Sequence, residues 1–255
     1  MDVEEKNKLF ALVGKDISYS FSKGYFTEKF QQLKLDKNTY VNFDIQSIDK
    51  LPKLIAKNKE ELGGLNVTIP YKEAVIPLLD KMSKAAKKIG AVNTIKVTKK
   101  GLLKGYNTDV YGFQKSIEPL LKEHHTKALI LGTGGASKAI AFSLKKLGVS
   151  FKFVSRNPQG KKQIGYNKLK KAVIQKHTII INSTPLGTHP DVFNYPSIPY
   201  EFLTEKHLLF DLIYNPAETA FLTKGKERGV TIKNGLRMLE LQAEKSWQIW
   251  NGIKE

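Results

Sequence analysis

A glycine-rich turn is the segment of this sequence whose residue spacing best suits a ligand. Residues 132–138 are Gly-Thr-Gly-Gly-Ala-Ser-Lys, and they follow the apolar run 127–131, which is typical of a strand. Where such a turn leads into a helix, glycines allow backbone N–H groups to approach a pyrophosphate closely. Ser137 replaces the third glycine of the dinucleotide fingerprint and is still small enough for close packing. The pattern predicts a dinucleotide site, and a tight turn without a ligand is the alternative.

The residues after the next predicted strand favour NADP over NAD. An NAD-binding fold usually has an acidic residue there, whose carboxylate accepts hydrogen bonds from the ribose hydroxyls. This chain instead has Ser155-Arg156-Asn157, with Lys161 and Lys162 close behind. An arginine at this position suits the additional phosphate of NADP through charge-assisted hydrogen bonds. Judged without the glycine turn, a surface arginine with no ligand is the alternative.

A lysine and an aspartate have the chemistry for proton exchange with a hydroxyl group. Lys72 ends the segment 66–72, Asn-Val-Thr-Ile-Pro-Tyr-Lys, and lies in the first turn of a predicted helix, where a positive charge is unfavourable. A lysine in such a place can act as a general acid or base, especially beside a carboxylate, and Asp109 is the candidate for that carboxylate. Taken alone, Lys72 is more simply a surface lysine and Asp109 a residue at a helix N-terminus.

Alternating strands and helices would position these groups. Apolar runs alternate with helical patterns along most of the chain, which predicts an α/β fold with parallel pairing. The predicted strands are 9–13, 40–43, 65–69, 127–131, 151–154, 178–181 and 208–211, with a hairpin that pairs 92–97 with 102–106. The predicted helices are 23–33, 51–56, 72–79, 83–88, 109–121 and 236–250.

The composition limits the kinds of protein and site. A chain of 255 residues can form two small domains or one large one, and 41% hydrophobic with 26% charged residues is typical of a folded protein. The absence of cysteine excludes disulfides, thiolate metal sites and a cysteine nucleophile. Metal-ligand spacing is also missing from the histidines, so we predict no metal site. They are His124, His125, His177, His189 and His207.

A cytoplasmic location without membrane association is expected from two further features. The first residues lack the basic and apolar regions of a signal peptide. No apolar run reaches the roughly 20 residues that are needed to span a bilayer.

The net charge of +18 admits two interpretations. A strong positive charge can mark a nucleic-acid surface, or it can attract small anions to a cleft. The lysines are spread along the chain in short clusters, and no zinc-finger or RNA-recognition pattern accompanies them. We therefore expect a small-molecule substrate and no nucleic acid. A nucleic-acid-binding module on a dinucleotide fold is the alternative from a different functional class.

Taken in order, segments from about residue 9 to residue 250 resemble the shikimate dehydrogenase family. The matching segments are Ser20 with Ser22, Asn66 to Lys72, Ala91 to Thr94, Asn107 to Asp109, the glycine turn, Asn182 to Thr184, Asp211 to Tyr214, and Gly235-Leu236 with Gln242. Two positions depart from the family pattern. Lys23 stands where many relatives have proline, and Arg237 stands where glycine is frequent.

The resemblance implies an NADP-dependent oxidoreductase that acts on a CH–OH group. It would interconvert 3-dehydroshikimate and shikimate on the pathway to chorismate and the aromatic amino acids, with Lys72 and Asp109 as the catalytic pair. The implied substrate-binding residues are Ser20, Ser22, Thr68, Asn93, Asp109, Tyr214 and Gln242. The implied NADP-binding residues are Gly132, Thr133, Gly134, Gly135, Ala136, Ser155, Arg156, Asn157, Leu212 and Gly235. A quinate/shikimate dehydrogenase with relaxed use of NAD and NADP is the nearest alternative.

Two α/β domains are predicted. The substrate-binding and catalytic domain comprises 1–108, with 235–255 returning to it, and a Rossmann-like NADP-binding domain comprises 109–234. The protein is expected to be a monomer or a homodimer.

Overall fold

The computed structural model describes residues 7–18 and 20–253, and the chain divides into two compact units. The first unit is Met1–Thr108 with Ala243–Glu255, and the second is Asp109–Gln242. Both are α/β structures, which confirms the predicted fold class. Residues 1–6, on which the expectation of no signal peptide rests, lie outside the described residues. No helix in the described part of the chain combines the length and the hydropathy that crossing a bilayer requires.

The first unit is built on a six-stranded mixed sheet. Its elements are β1 (Lys8–Gly14), α1 (Phe21–Gln32), β2 (Asn38–Asp44), α2 (Leu51–Lys57), β3 (Leu62–Val67), α3 (Tyr71–Ala74), β4 (Lys81–Met82), α4 (Lys84–Ile89), β5 (Thr94–Val97) and β6 (Leu103–Tyr106). The strand order is β2-β1-β3-β5-β6-β4. β1 is parallel to β2 and β3, whereas β5 is antiparallel to β3 and β6. The predicted hairpin therefore interrupts the parallel pairing that the alternation of elements favoured.

Aromatic side chains fill one side of this sheet. Trp250, near the end of the last helix, stacks on Phe10 with ring centroids 4.7 Å apart. Its indole Nε1 donates a hydrogen bond of 3.0 Å to the carbonyl of Ile95. Gly64 makes room for the indole, because a Cβ there would lie 2.2 Å from Nε1. The end of the last helix is thus packed into the core of the first unit.

The second unit is built on a six-stranded sheet in which neighbouring strands are parallel. Its elements are α5 (Asp109–Ile117), β7 (Lys127–Leu131), α6 (Gly135–Lys146), β8 (Ser150–Ser155), β9 (Gln163–Gly165), α7 (Lys171–Lys176), β10 (Ile179–Asn182), β11 (Leu208–Asp211), α8 (Ala220–Lys226), β12 (Thr231–Lys233) and the start of α9 (Leu236–Asn251). The order β12-β11-β10-β7-β8-β9 is the Rossmann arrangement. The last helix, α9, begins in this unit and ends in the first.

Two helices are shorter than predicted, and proline explains both differences. The segment 72–79 forms one turn of α-helix, α3, followed by a 3₁₀ turn that contains Pro77. The segment 109–121 ends as α-helix at Ile117, and a 3₁₀ turn that contains Pro119 follows. Proline has no N–H to donate and its ring clashes with the preceding turn, so it ends a helix.

Candidate active site

The glycine turn lies at the carboxyl end of β7 and leads directly into α6. Gly132 has a φ of +104°, in a region that other residues rarely adopt, and a Cβ there would lie 3.0 Å from Oγ of Ser183. Gly134 has an ordinary φ of −73° and would have no atom within 4 Å of a Cβ. The fold therefore requires glycine at 132, whereas neither backbone nor packing requires it at 134. Glycine at 134 leaves the backbone open to a ligand.

The start of α6 has the properties of an anion site. No side chain in the described part of the chain caps this helix of 12 residues, and its first turn has no acidic residue. The buried Ser137 donates a hydrogen bond of 2.6 Å to the carbonyl of Gly134, which leaves the amides of the first turn to a ligand. Since the first N–H groups of a helix lack partners within it and carry the positive end of its dipole, a pyrophosphate fits here.

Arg156 lies on the same edge of the sheet as the glycine turn. The amide of Gly132 donates to the carbonyl of Val154 at 2.9 Å, so the end of β8 runs beside the turn. Ser155 ends β8, and its Oγ accepts from the amide of Asn157 at 3.2 Å. Arg156 is exposed. Burial raises the pKa of the Tyr166 hydroxyl, and the nearby positive charge of Arg156 opposes that shift. Arg156 thus lies just after the end of β8, beside the glycine turn, and its role toward a ribose phosphate stays a prediction.

The other two predicted cofactor residues, Leu212 and Gly235, follow the ends of β11 and β12 at this edge. Ser183, just after β10, donates from Oγ to the carbonyl of Leu131 at 2.6 Å. Leu212, just after β11, donates its amide to the carbonyl of Asn182 at 3.0 Å. A Cβ on Gly235 would lie only 2.1 Å from the carbonyl oxygen of Leu212. Gly235 is therefore required by this close approach of two backbones.

Asp211 is a buried carboxylate at a strand end. The sequence analysis assigned no role to it. It ends β11 and accepts hydrogen bonds from Oγ1 of Thr219 at 2.6 Å, the amide of Ile213 at 3.0 Å and Nδ2 of Asn182 at 3.0 Å. Burial raises the pKa of Asp211 to about 6, although these three hydrogen bonds lower it. The carboxylate holds together the loops that follow β10 and β11.

In the first unit, the residues assigned to the substrate lie along one edge of the sheet. Ser20 and Ser22 follow β1, and Thr68 follows the parallel neighbour β3. Ser20 is the N-cap of α1, where its Oγ accepts from the amide of Ser22 at 3.1 Å. The amide of Thr68 donates to the carbonyl of Val13 at 2.9 Å. The capping role and the predicted substrate role of Ser20 are compatible, because a hydroxyl that accepts one bond can still donate.

Lys72 lies at this same edge. It is half-buried in α3, and its carbonyl accepts a hydrogen bond of 2.7 Å from the amide of Val92, next to Asn93. Because α3 has only four residues, the helix dipole expected beside Lys72 is short. Asn93 is buried, and its Oδ1 accepts from the amide of Thr108 at 2.7 Å.

The other assigned residues belong to the second unit. Asp109 is the first residue of α5 and is buried. Gln242 is buried on α9 and donates from Nε2 to the carbonyl of Leu239 at 2.9 Å. Tyr214 is half-buried after β11. Pairing of Lys72 with Asp109 stays a prediction. Across the described residues, no three His, Cys, Asp or Glu side chains are grouped so that they could hold a metal ion.

The sequence did not indicate two residues of the first unit whose hydroxyl groups hydrogen-bond near the predicted substrate residues. Tyr40 and Ser246 hydrogen-bond within the buried cluster that contains Asn66 and Asn93. Tyr40 lies in a predicted strand and Ser246 in a predicted helix. Neither prediction shows which buried atoms form hydrogen bonds with the hydroxyl group. Only the fold brings these side chains together.

Comparison with known proteins gives a consistent result. Residues 12–95 match the family model described as "Shikimate dehydrogenase substrate binding domain". The chain is 36% identical over 269 residues to a curated "Shikimate dehydrogenase (NADP(+))" from Caldanaerobacter subterraneus subsp. tengcongensis, with 99% of this chain and 94% of that protein covered.

Solved structures with the same fold carry related names. The crystal structure of shikimate 5-dehydrogenase from Thermus thermophilus in complex with NADP(H) and shikimate is 30% identical, with a TM-score of 0.85, and the match covers 96% of this chain and 94% of that one. Quinate dehydrogenase from Corynebacterium glutamicum in complex with NAD is 26% identical with a TM-score of 0.85, covering 97% and 95% of the two chains. The fold is thus shared by enzymes with different named substrates.

Proposed function

The chain belongs to the shikimate dehydrogenase family, and from this premise we propose that it catalyses the reversible NADP-dependent reduction of 3-dehydroshikimate to shikimate. It is an oxidoreductase that acts on a CH–OH group. The observation in the structure that carries the cofactor part of the proposal is Gly134, which faces open space at an uncapped helix start. The reaction belongs to the pathway that leads to chorismate and the aromatic amino acids.

The NADP-binding residues fit the cofactor. The amides of the glycine turn and of the first turn of α6 bind the pyrophosphate, and Arg156 binds the ribose phosphate that distinguishes NADP from NAD. Ser155 and Asn157 shape the loop that holds Arg156, while Leu212 and Gly235 line the site further along the sheet. When bound, NADP supplies the hydride acceptor or donor at the substrate carbon.

Lys72 and Asp109 are the proposed catalytic residues. Lys72 gives a proton to the substrate oxygen when the ketone is reduced, and takes it from the hydroxyl when the alcohol is oxidised. Asp109 orients the reacting hydroxyl by accepting a hydrogen bond. A buried carboxylate at the start of α5 is well suited to this, because its rotamer is held by packing.

The remaining proposed substrate residues are neutral. Ser20 and Ser22 bind the ring carboxylate, and Thr68, Asn93, Tyr214 and Gln242 bind the ring hydroxyls. A ring acid with several hydroxyls needs many neutral donors and acceptors, and this set supplies them. We further propose a cytoplasmic monomer or homodimer that does not bind nucleic acid. Binding to random duplex DNA that falls steeply with salt would contradict the last point.

The first experiment compares shikimate with quinate and NADP with NAD. Reduction of the nicotinamide is followed by its absorbance in all four combinations. With shikimate, we expect activity with NADP to exceed activity with NAD by at least roughly tenfold, since a lost charged hydrogen bond to the ribose phosphate costs about 1.5–3 kcal/mol. With NADP, we expect activity with shikimate to exceed activity with quinate. Comparable activity with quinate or NAD would favour the quinate/shikimate alternative instead. No activity in any combination would contradict the proposed function.

A further inference from the structure

Side chains at the end of β2 hold the segment that follows β1, and this segment leads to Ser20 and Ser22. β1 and β2 are parallel, and Asp44 lies opposite Gly14, the last residue of β1. Residues 15–18 then form neither helix nor strand. The end of β2 therefore lies beside the point where the chain leaves the sheet on its way to the two serines.

The carboxylate of Asp44 accepts two backbone hydrogen bonds from this segment. Its Oδ1 accepts from the amide of Asp16 at 2.9 Å, and its Oδ2 accepts from the amide of Ile17 at 3.1 Å. Asp16 has a φ of +54°, in the left-handed region that is uncommon for residues other than glycine. Because hydrogen bonds to a charged acceptor are stronger than neutral ones, Asp44 is well suited to hold this backbone conformation.

Asn42 holds the same segment from the carbonyl side of Ile17. It lies two residues before Asp44 in β2 and so on the same face of the strand. Its Nδ2 donates to the carbonyl of Ile17 at 3.0 Å. The side chain of Ile17 is buried, and a Cβ on Gly14 would lie 2.5 Å from its Cγ2. The amide and the carbonyl of Ile17 are thus both bound by β2, and its side chain packs against the end of β1.

Ile17 connects this fixed segment to Ser20. The carbonyl that Asn42 binds also accepts from the amide of Ser20 at 3.1 Å. Oγ of Ser20 in turn accepts from the amide of Ser22 at the start of α1. Since the Ser20 oxygen accepts this bond, its proton can be donated to a ligand. The position of the Ser20 hydroxyl is therefore set by the backbone of Ile17 on one side and by α1 on the other.

The number of side chains directed at this segment exceeds what its backbone groups need. A third side chain, that of Gln46, donates from Nε2 to Oδ1 of Asp16 at 3.1 Å. A single bond, such as the one of 2.7 Å that Asp80 accepts from the amide of Leu103, is enough to satisfy a backbone amide. Three side chains from one stretch that bond to two consecutive residues also fix the position of both.

We propose that Asp44 is a positioning residue for substrate binding, which together with Asn42 fixes the backbone of Ile17 so that the Ser20 hydroxyl donates to the substrate's carboxylate. This inference rests on the proposed function, which assigns Ser20 to that carboxylate. Asp44 acts through the segment and needs no contact with the substrate. Because a hydrogen bond weakens steeply when its distance and angle leave their preferred ranges, a small shift of the segment weakens binding.

Asp44→Ala tests the inference, since it removes both acceptor oxygens. We expect the Kd of shikimate, measured by calorimetry, and its KM to rise roughly five- to tenfold, as for the loss of about one hydrogen bond to the substrate. Asp44→Asn keeps one acceptor oxygen and should raise both constants by about twofold. The kcat and the Kd of NADP should stay within about twofold, because a bond made equally in the ground and transition states affects KM alone.

Asp80→Ala is the matched control. It removes an exposed carboxylate that also accepts from a backbone amide in the first unit, but beside β4 at the other edge of the sheet. Its Kd for shikimate should stay within about 1.5-fold of the wild-type value, since a surface substitution away from the serines leaves them in place. Equal rises in Asp44→Ala and Asp80→Ala, or an unchanged Kd in Asp44→Ala, overturn the inference.

A double-mutant cycle separates positioning of Ser20 from general destabilisation. If Asp44 acts through Ser20, Asp44→Ala should change the shikimate Kd by less than about twofold in a Ser20→Ala background. An undiminished effect in that background, or a fall in kcat as large as the rise in KM, overturns the inference. Should Asp44→Ala fail to fold, Asn42→Ala enters the same cycle with an expected rise of about threefold, and lack of coupling to Ser20→Ala again overturns it.

The outcome for the wild-type protein keeps the two proposals apart. Shikimate binding without turnover contradicts the proposed function while the Kd measurements still decide the role of Asp44. Turnover with additive Kd changes contradicts the role of Asp44 alone. A wild-type protein that neither binds nor oxidises shikimate contradicts both.

Discussion

The buried polar residues of the two units differ in their ability to carry charge. In the first unit the buried polar residues among those described are neutral, and they include Asn66, Asn93 and Ser246. The second unit buries Asp109, Asp211, His125, His177 and His207. All five histidines of the chain belong to the second unit, whereas Trp247 and Trp250 belong to the first.

This difference predicts that the stability of the two units responds differently to pH. Hydroxyl and amide side chains do not titrate near neutral pH, so the buried polar residues of the first unit keep their hydrogen-bonding pattern as pH changes. Burial lowers the pKa of His125 and of His177 and raises the pKa of Asp211, so the stability of the second unit depends on pH. The tryptophans and the titrating groups therefore report on different parts of the molecule.

Lys72→Ala should have the largest effect of these variants. It should lower turnover without weakening the binding of NADP. We expect kcat to fall by about 10²–10⁴-fold, the usual contribution of a general acid or base. The Kd of NADP, measured by calorimetry, should stay within about twofold because the glycine turn is untouched. Lys53→Ala removes an exposed lysine from α2 and is the control for loss of charge. Near-normal turnover of Lys72→Ala would remove Lys72 from the catalytic pair.

Gly134→Ala and Gly24→Ala compare the units directly, because a Cβ at either position meets no protein atom within 4 Å. At Gly134 we expect the Kd of NADP to rise about tenfold, since a methyl group displaces the pyrophosphate from the amides. The melting temperature should fall by less than about 2 °C. At Gly24, inside α1, the same change should leave the Kd unaltered and slightly raise stability through helix propensity. Equal effects of the two variants on NADP binding would contradict a ligand at Gly134.

Gly235→Ala sharpens this test within the second unit. Its Cβ would lie 2.1 Å from a carbonyl oxygen, so the backbone must move. We expect a loss of about 1–3 kcal/mol in unfolding free energy from this overlap, measured by urea titration. A destabilised Gly235→Ala beside a stable Gly134→Ala would distinguish a glycine that the fold requires from one that the ligand requires.

Acidification should destabilise the second unit first. Burial lowers the pKa of both His125 and His177, so below about pH 6.5 the unfolded chain binds more protons than the folded one. Their contribution to stability is full above that pH and is lost as pH falls toward the folded pKa values. Between about pH 7.5 and 5, the urea midpoint from circular dichroism should fall further than the midpoint from tryptophan fluorescence. His177→Gln should weaken this dependence, and coincident midpoints at every pH would contradict the separation.

Asp211→Asn should give the smallest change, of opposite sign. The pKa of Asp211 is raised to about 6 from 3.8, so this group favours the folded state fully below pH 3.8 and loses that contribution as pH rises to about 6. In the wild type it partly offsets the histidines during acidification. The variant should therefore lose more stability than the wild type between about pH 6.5 and 5, as measured by urea titration. An unchanged pH dependence would show that Asp211 does not titrate in this range.

The sequence predicts the buried strands well and the edges of the sheets poorly. The runs 127–131 and 208–211 coincide with β7 and β11, because fully buried parallel strands are continuous apolar runs. β4, β9 and β12 have two or three residues each and escape a periodicity argument, since only pairing with a neighbour defines them. β3 begins at Leu62 rather than 65, and the pattern conceals this because Gly64 has no side chain.

The candidate site divides in a similar way. Gly132, Arg156 and Lys72 stand out by residue type and by their place after a strand, which are properties of short segments. The buried side chain of Asn66 hydrogen-bonds to residues as far apart as Tyr40 and Ser246, and these bonds follow from tertiary packing. The local sequence therefore reveals a glycine in a turn, but it does not reveal which side chains form hydrogen bonds with a buried hydroxyl.

The division of α9 between the units has a consequence for the order in which the protein is completed during synthesis. Translation reaches Trp247 and Trp250 only after every strand of both sheets has been made, the last of them ending at Lys233. The first unit is therefore translated first but receives the indole that packs over Gly64 last. By then every strand of the second unit has been synthesised. Completion of the N-terminal half thus waits for the last helix, against the usual order in which domains fold as they emerge.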